Sequence, residues 1–123
     1  MKIKESAENY LESILIIKIK KGSVRSIDIA NELKFTKPSV SVAMKNLREE
    51  GYINMNSDGA ITLTDKGLEI AERVYERHEI IAQALIKLGV DEATAYEDSC
   101  KIEHDISELS FAKIKEHLAT HQK

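Results

Sequence analysis

Ala7, Tyr10, Ile14 and Ile17 recur at intervals of three and four with polar and charged residues between them, the period of an amphipathic helix. The pattern predicts a first helix from about Glu5 to Lys20, with Ser6 as its N-cap and Gly22 as its stop. Ile27, Ile29, Ala30 and Leu33 define a second, shorter helix that Ser26 can cap, and Lys34-Phe35 interrupts its pattern. Thr36 followed by Pro38 puts a capping hydroxyl and a first-turn proline at the head of a third helix, which runs to about Glu50 with Val40, Met44 and Leu47 inward. After Gly51 the period changes. Tyr52, Ile53 and Met55, then Ile61 and Leu63, read as two short strands around the turn residues Ser57-Asp58-Gly59. Helix, turn, helix and hairpin is the outline of a winged helix-turn-helix.

Thr64 can cap a long helix that starts near Asp65, with an apolar stripe of Leu68, Ala71, Val74, His78, Ile81, Leu85 and Leu88 ahead of Gly89. Two more helices are expected, from about Glu92 to Ile106 and from about Glu108 to Ala119. The fold expected is therefore mainly α: an N-terminal winged helix-turn-helix over residues 1–70 and a C-terminal helical dimerisation lobe over residues 71–123. Ile106, Leu109, Phe111, Ile114 and Leu118 supply apolar area that so small a chain cannot easily bury alone, which predicts a homodimer formed through the last helices.

Composition narrows the function classes. With 42% hydrophobic and 32% charged residues, the 123-residue chain reads as globular rather than disordered. One proline, two phenylalanines and no tryptophan argue against an aromatic-rich β-sandwich. The single cysteine, Cys100, forms no internal disulfide, which points to a reducing, cytoplasmic compartment. No apolar run approaches the roughly 20 residues of a membrane span, and Met1-Lys2-Ile3-Lys4-Glu5 lacks a signal-peptide core, so no membrane partner is expected. Charge is uneven: residues up to Leu68 carry a net +2 and those from Glu69 onward a net −5. A weakly basic front half suits nucleic acid, and an acidic back half suits a cation or another partner.

The N-terminal residues of the third helix would enter a major groove: Thr36, Lys37, Pro38, Ser39, Ser41, Val42 and Lys45. Hydroxyls and lysines suit phosphate and the valine suits a thymine methyl, while the first two outward turns hold no Arg, Asn or Gln for direct base reading. Arg25 ahead of the second helix is a candidate phosphate clamp. In the C-terminal half, Cys100, Glu103 and His104 have the three- and four-residue spacing that puts a thiolate, a carboxylate and an imidazole on one helical face, within reach of one cation. His78 on the long helix and Asn9 and Glu12 on the first helix add to that reading. The competing reading is a winged-helix regulator or assembly module indifferent to metal, with Cys100 as a core or redox thiol. Cys100 with His104 as a catalytic pair has neither an oxyanion motif nor a third orienting group, so no enzyme activity and no small-molecule substrate are expected. His117 and His121 are four apart near the C-terminus and read as part of a solvated tail.

The order of elements and the strings Glu8-Asn9-Tyr10-Leu11-Glu12, Asp28-Ile29-Ala30, Pro38-Ser39-Val40-Ser41, Leu63-Thr64-Asp65-Lys66-Gly67, Arg77-His78-Glu79, Leu88-Gly89-Val90 and Ile102-Glu103-His104 resemble the bacterial iron- and manganese-dependent transcriptional repressors of the diphtheria toxin repressor and manganese transport regulator type. The resemblance implies a homodimer in which divalent metal raises affinity for a palindromic double-stranded DNA operator, as a corepressor of metal-homeostasis genes. It implies metal ligands at Asn9, Glu12, His78, Cys100, Glu103 and His104, and a short form without a C-terminal SH3-like domain. The implied set is a hybrid: resembling manganese-type members have Asp and Glu where this chain has Asn9 and Cys100, and iron-type members have Met and Cys. An amide and a thiol in place of two carboxylates favour softer ions, so the expected cofactor is Fe²⁺ or Mn²⁺ with Co²⁺, Ni²⁺ and Zn²⁺ as competitors. Ala82 and Tyr96 stand where the iron-type second site needs Glu and His, and that site is expected to be lost.

Overall fold

The computed structural model describes residues 5–120. Its elements are α1 (Glu5–Lys21), α2 (Ser26–Leu33), α3 (Lys37–Glu49), β1 (Ile53–Met55), β2 (Ile61–Leu63), α4 (Asp65–Lys87), α5 (Glu92–Ile102) and α6 (Glu108–Thr120). The chain divides into two compact units, Met1–Glu72 and Arg73–Lys123, and the division falls within α4.

The first unit is a winged helix-turn-helix. Leu11, Ile14 and Ile17 of α1, Ile29 of α2, Val40, Met44 and Leu47 of α3, and Ile53 and Ile61 of the hairpin share one buried cluster. β1 and β2 pair antiparallel with Ile53 opposite Leu63 and Met55 opposite Ile61, so buried Ile53 and Ile61 line the inner face. A left-handed Lys34 (φ 59°) ends α2. Thr36 then caps α3 by accepting a hydrogen bond from the Ser39 N–H (3.3 Å), with Pro38 in the first turn.

Two expected caps are corrected. Ser6 lies inside α1, whose described part begins at Glu5. Ser26 is the first residue of α2 rather than its cap, because the Asp28 carboxylate accepts the Arg25 N–H (2.9 Å) and moves the cap back to Arg25.

In the second unit Val74, Ile81, Ala82, Ala95, Phe111 and Leu118 are buried. The expected apolar stripe of α4 ends before Leu88, which is 81% exposed. The helix stops at Lys87, and Gly89 (φ +105°) turns the chain so that Val90 N–H donates to Leu85 O. Phe111 and Leu118, expected on a free dimer surface, are buried in the protomer, whereas Leu109 is exposed as expected. The largest correction is α5, which ends at Ile102 and not near Ile106. His117 is exposed on α6, and His121 lies outside the described residues.

Candidate metal centre and nucleic-acid interface

Within the second unit the structure brings four sequence-predicted residues together. His78 projects from α4, Cys100 from the last turn of α5, Glu103 is the C-cap of that helix, and His104 follows it. Glu103 and His104 are therefore not on the regular helical face their spacing implies, yet they still converge with the others. His78 Nδ1 lies 3.0 Å from Glu103 Oε2 and 3.6 Å from Cys100 Sγ. His104 Nε2 lies 3.3 Å from Glu103 Oε1, outside hydrogen-bond geometry, and that oxygen has no donor.

Glu103 is 2% exposed, so its carboxylate is held out of water between two imidazoles, with the Cys100 thiol beside one of them. A buried carboxylate oxygen without a donor is costly unless a cation serves it. Two nitrogens, a carboxylate and a sulfur form a donor set suited to a divalent first-row metal. Burial alone would push the His78 imidazole down, but its hydrogen bonds to Cys100 and Glu103 outweigh that and raise its pKa to about 10. Asn9 and Glu12 stand one turn apart on α1 of the first unit, Glu12 buried and Asn9 half-buried.

Next to this cluster the Tyr96 hydroxyl donates to Glu79 Oε2 (2.9 Å) and accepts from Gln83 (3.4 Å), while its ring leans on His78 at 5.4 Å between centroids. Burial, and then the Glu79 carboxylate, hold the Tyr96 pKa above its ordinary value. Ala82 is fully buried and offers no ligand.

Sequence reasoning assigned no role to Arg77. It is buried, with Nη1 donating to Glu103 O (3.0 Å) and Ile106 O (2.9 Å) and Nη2 donating to Glu108 Oε1 (2.8 Å). The available signal was an arginine three residues after Val74, on the inward side of α4.

In the first unit Lys37, Pro38, Ser39, Ser41, Val42 and Lys45 are exposed along the start of α3, with Val42 61% exposed. Thr36 is also exposed, and its hydroxyl donates to Ser39 Oγ (2.9 Å), so these two hydroxyls are joined to each other. Arg25 reaches the tip of the hairpin, where it donates to the Asp58 carbonyl and lies 3.7 Å from the Asp58 carboxylate. The cation expected to clamp phosphate thus also ties α2 to the wing.

A winged helix-turn-helix joined to a helical unit that gathers N, O and S donors defines a metal-responsive DNA-binding protein. Residues 2–61 match the iron dependent repressor N-terminal DNA binding domain, and residues 64–123 match the iron dependent repressor metal binding and dimerisation domain. The chain belongs to the iron-dependent repressor family of metal-dependent, DNA-binding transcriptional regulators. It is 36% identical over 113 residues to an HTH-type transcriptional regulator of Methanocaldococcus jannaschii, covering 90% of each chain. It is also 36% identical over 109 residues to the HTH-type transcriptional regulator MntR of Lysinibacillus sphaericus, covering 89% of this chain and 78% of that one. Among solved structures, a manganese-dependent transcriptional repressor in complex with manganese is similar at a TM-score of 0.85 and 25% identity, over 95% of this chain and 54% of that one. IdeR of T. acidophilum shares the fold at a TM-score of 0.81 and 24% identity, over 97% of this chain and 55% of that one. The chain thus spans about half the length of these two structures.

Proposed function

We propose that this protein is a cytoplasmic metal sensor without catalytic activity, which as a homodimer binds a palindromic operator when loaded with Fe²⁺ or Mn²⁺ and represses metal-homeostasis genes. The observation that carries this reading is the convergence of His78 and His104 on the buried Glu103 carboxylate, with the Cys100 thiol beside His78. Asn9 and Glu12 are the remaining members of the proposed ligand set. Arg25, Thr36, Lys37, Pro38, Ser39, Ser41, Val42 and Lys45 meet the DNA.

A bound ion would supply a fixed positive charge. Glu103, His78 and His104 would hold it, Cys100 would set the softness of the donor set, and Glu12 and Asn9 would contribute oxygen ligands from α1. Metal binding would then act by linkage, favouring arrangements of the dimer whose recognition helices are spaced about one DNA turn, roughly 34 Å. The hybrid donor set admits Co²⁺, Ni²⁺ and Zn²⁺ as competitors.

The test is binding to duplexes selected from a random-sequence library by the Mn²⁺-loaded protein. Wild type is expected to bind them at least tenfold more tightly with Mn²⁺ or anaerobic Fe²⁺ than with chelator, and Glu103→Gln to show no difference between the two conditions. Wild-type affinity independent of metal would overturn the reading.

A further inference from the structure

Consecutive residues of α4 grip Glu103 from opposite ends. His78 takes its carboxylate at 3.0 Å, and Arg77 takes its backbone carbonyl at 3.0 Å. The Arg77 guanidinium also takes the Ile106 carbonyl at 2.9 Å, so one planar fork spans the turn from 103 to 106. Were α5 to continue, those two carbonyls would accept from amides four residues on. Instead the chain tightens, with Asp105 N–H donating to Ile102 O (3.0 Å), and restarts at Ser107, whose hydroxyl accepts from the Ser110 N–H (3.1 Å) to cap α6.

A buried guanidinium needs a counter-charge. Glu108 in the first turn of α6 supplies it at 2.8 Å, and the Phe111 ring lies under the guanidinium at 5.3 Å. The four contacts of Arg77 therefore join the turn that follows α5 to the first residues of α6.

We propose that Arg77, with Glu108 as its counter-ion, is the positioning residue of the metal centre: it ends α5 at Ile102 and holds Glu103 and His104 off the regular helix, in the turn from which both would reach an ion. This deepens the reading of the metal centre and rests on it. Arg77 touches no proposed ligand donor atom. Its effect runs through the backbone of the 103–106 turn, so its loss alters the geometry of the site rather than the ligands themselves. Lysine at 77 retains the charge, but its single ammonium cannot span two carbonyls and a carboxylate in one plane.

The experiment titrates full-length, chelator-stripped protein with Co²⁺ without oxygen, reading affinity and the visible ligand-field spectrum, alongside amide hydrogen exchange at residues 103–108. Arg77→Met is expected to weaken Co²⁺ binding at least tenfold and change the spectrum, Arg77→Lys to recover only part of the affinity, and Glu108→Ala to cost a few-fold. Exchange should rise at 104–107 while the amides of α4 and α5 keep their protection. If Arg77→Met does not fold, Arg77→Lys and Glu108→Ala carry the test. A folded Arg77→Lys or Arg77→Met with wild-type spectrum and affinity within twofold would overturn the proposal. Glu103→Gln, run in parallel, separates the two failures: wild-type Co²⁺ binding in that variant would refute the metal centre itself.

Discussion

Gly67, in the first turn of α4, sets two effects of known size against each other. Alanine is favoured over glycine inside a helix by about 1 kcal/mol, so propensity alone predicts that Gly67→Ala stabilises the protein. Space predicts the reverse. A methyl at this position would lie 2.0 Å from Tyr52 O, 3.0 Å from Tyr52 C and 3.4 Å from Leu63 Cδ2. An ordinary C···O approach is about 3.3 Å, so the backbone at Tyr52 or the helix would have to give by more than ~1 Å. Tyr52 is poorly placed to yield. Its N–H donates to Leu47 O (2.9 Å), its carbonyl accepts from Thr64 N–H (3.0 Å), and Lys66 Nζ sits 4.4 Å from the centre of its ring. Overpacking of this kind costs about 1–3 kcal/mol, and weakening the Thr64 bond adds about 1 kcal/mol. Together these exceed the propensity gain, so Gly67→Ala should destabilise by roughly 1–3 kcal/mol. Urea unfolding followed by far-UV circular dichroism would show a lower midpoint at unchanged slope. Glu69→Ala, at an exposed position of the same helix, should stay within about 0.5 kcal/mol of wild type. A Gly67→Ala protein as stable as wild type, or more so, would refute the claim that α4 packs against the β1 approach with no room for a methyl.

Four other outcomes follow from the site and the caps. The His78 pKa stands at about 10 against an ordinary 6.5, so the fold favours its protonated form. That contribution is complete below pH 6.5 and lost as pH rises through about 10. The melting temperature of the chelator-treated protein should fall over this window by more than that of His78→Gln, and parallel profiles would sink the argument. Ion binding must displace the same proton, so Mn²⁺ affinity should rise with pH until His78 is neutral. Thr36→Ala removes the cap of α3 and should cost about 1 kcal/mol in urea unfolding; an unchanged midpoint would show that the 3.3 Å bond to Ser39 contributes nothing. Cys100→Glu exchanges a soft ligand for a hard one and should move the site's preference toward Mn²⁺ over Co²⁺ and Zn²⁺. Competition in metal buffers checks this, and an unaltered rank order would remove Cys100 from the ligand set.

The parts of the molecule legible in the sequence are those governed by local rules. The three-and-four spacing of Tyr10, Ile14 and Ile17, the Thr36 cap with Pro38, and the turn residues Ser57-Asp58-Gly59 each act within a few positions, and each corresponds to an element of the structure. Misplaced boundaries had equally local causes: Asp28 reaches back to the Arg25 N–H and displaces Ser26 as the cap. The end of α5 has a different cause. Nothing between Glu92 and Ile106 breaks a helical pattern, because the stretch lacks both proline and glycine. The carbonyls of Glu103 and Ile106 are instead taken by an arginine 26 and 29 residues away in sequence.

The same distant contact accounts for why Cys100, Glu103 and His104 come together by a route other than the one their Cys-x-x-Glu-His spacing implies. Three- and four-residue intervals put these side chains on one face only while the helix lasts. The helix ends at Ile102, and the residues still meet because α4 holds them: Arg77 through the backbone, His78 through the carboxylate, and the His78 carbonyl through the Ser99 hydroxyl. A cluster assembled in this way is sensitive to changes in α4 that leave Cys100, Glu103 and His104 untouched.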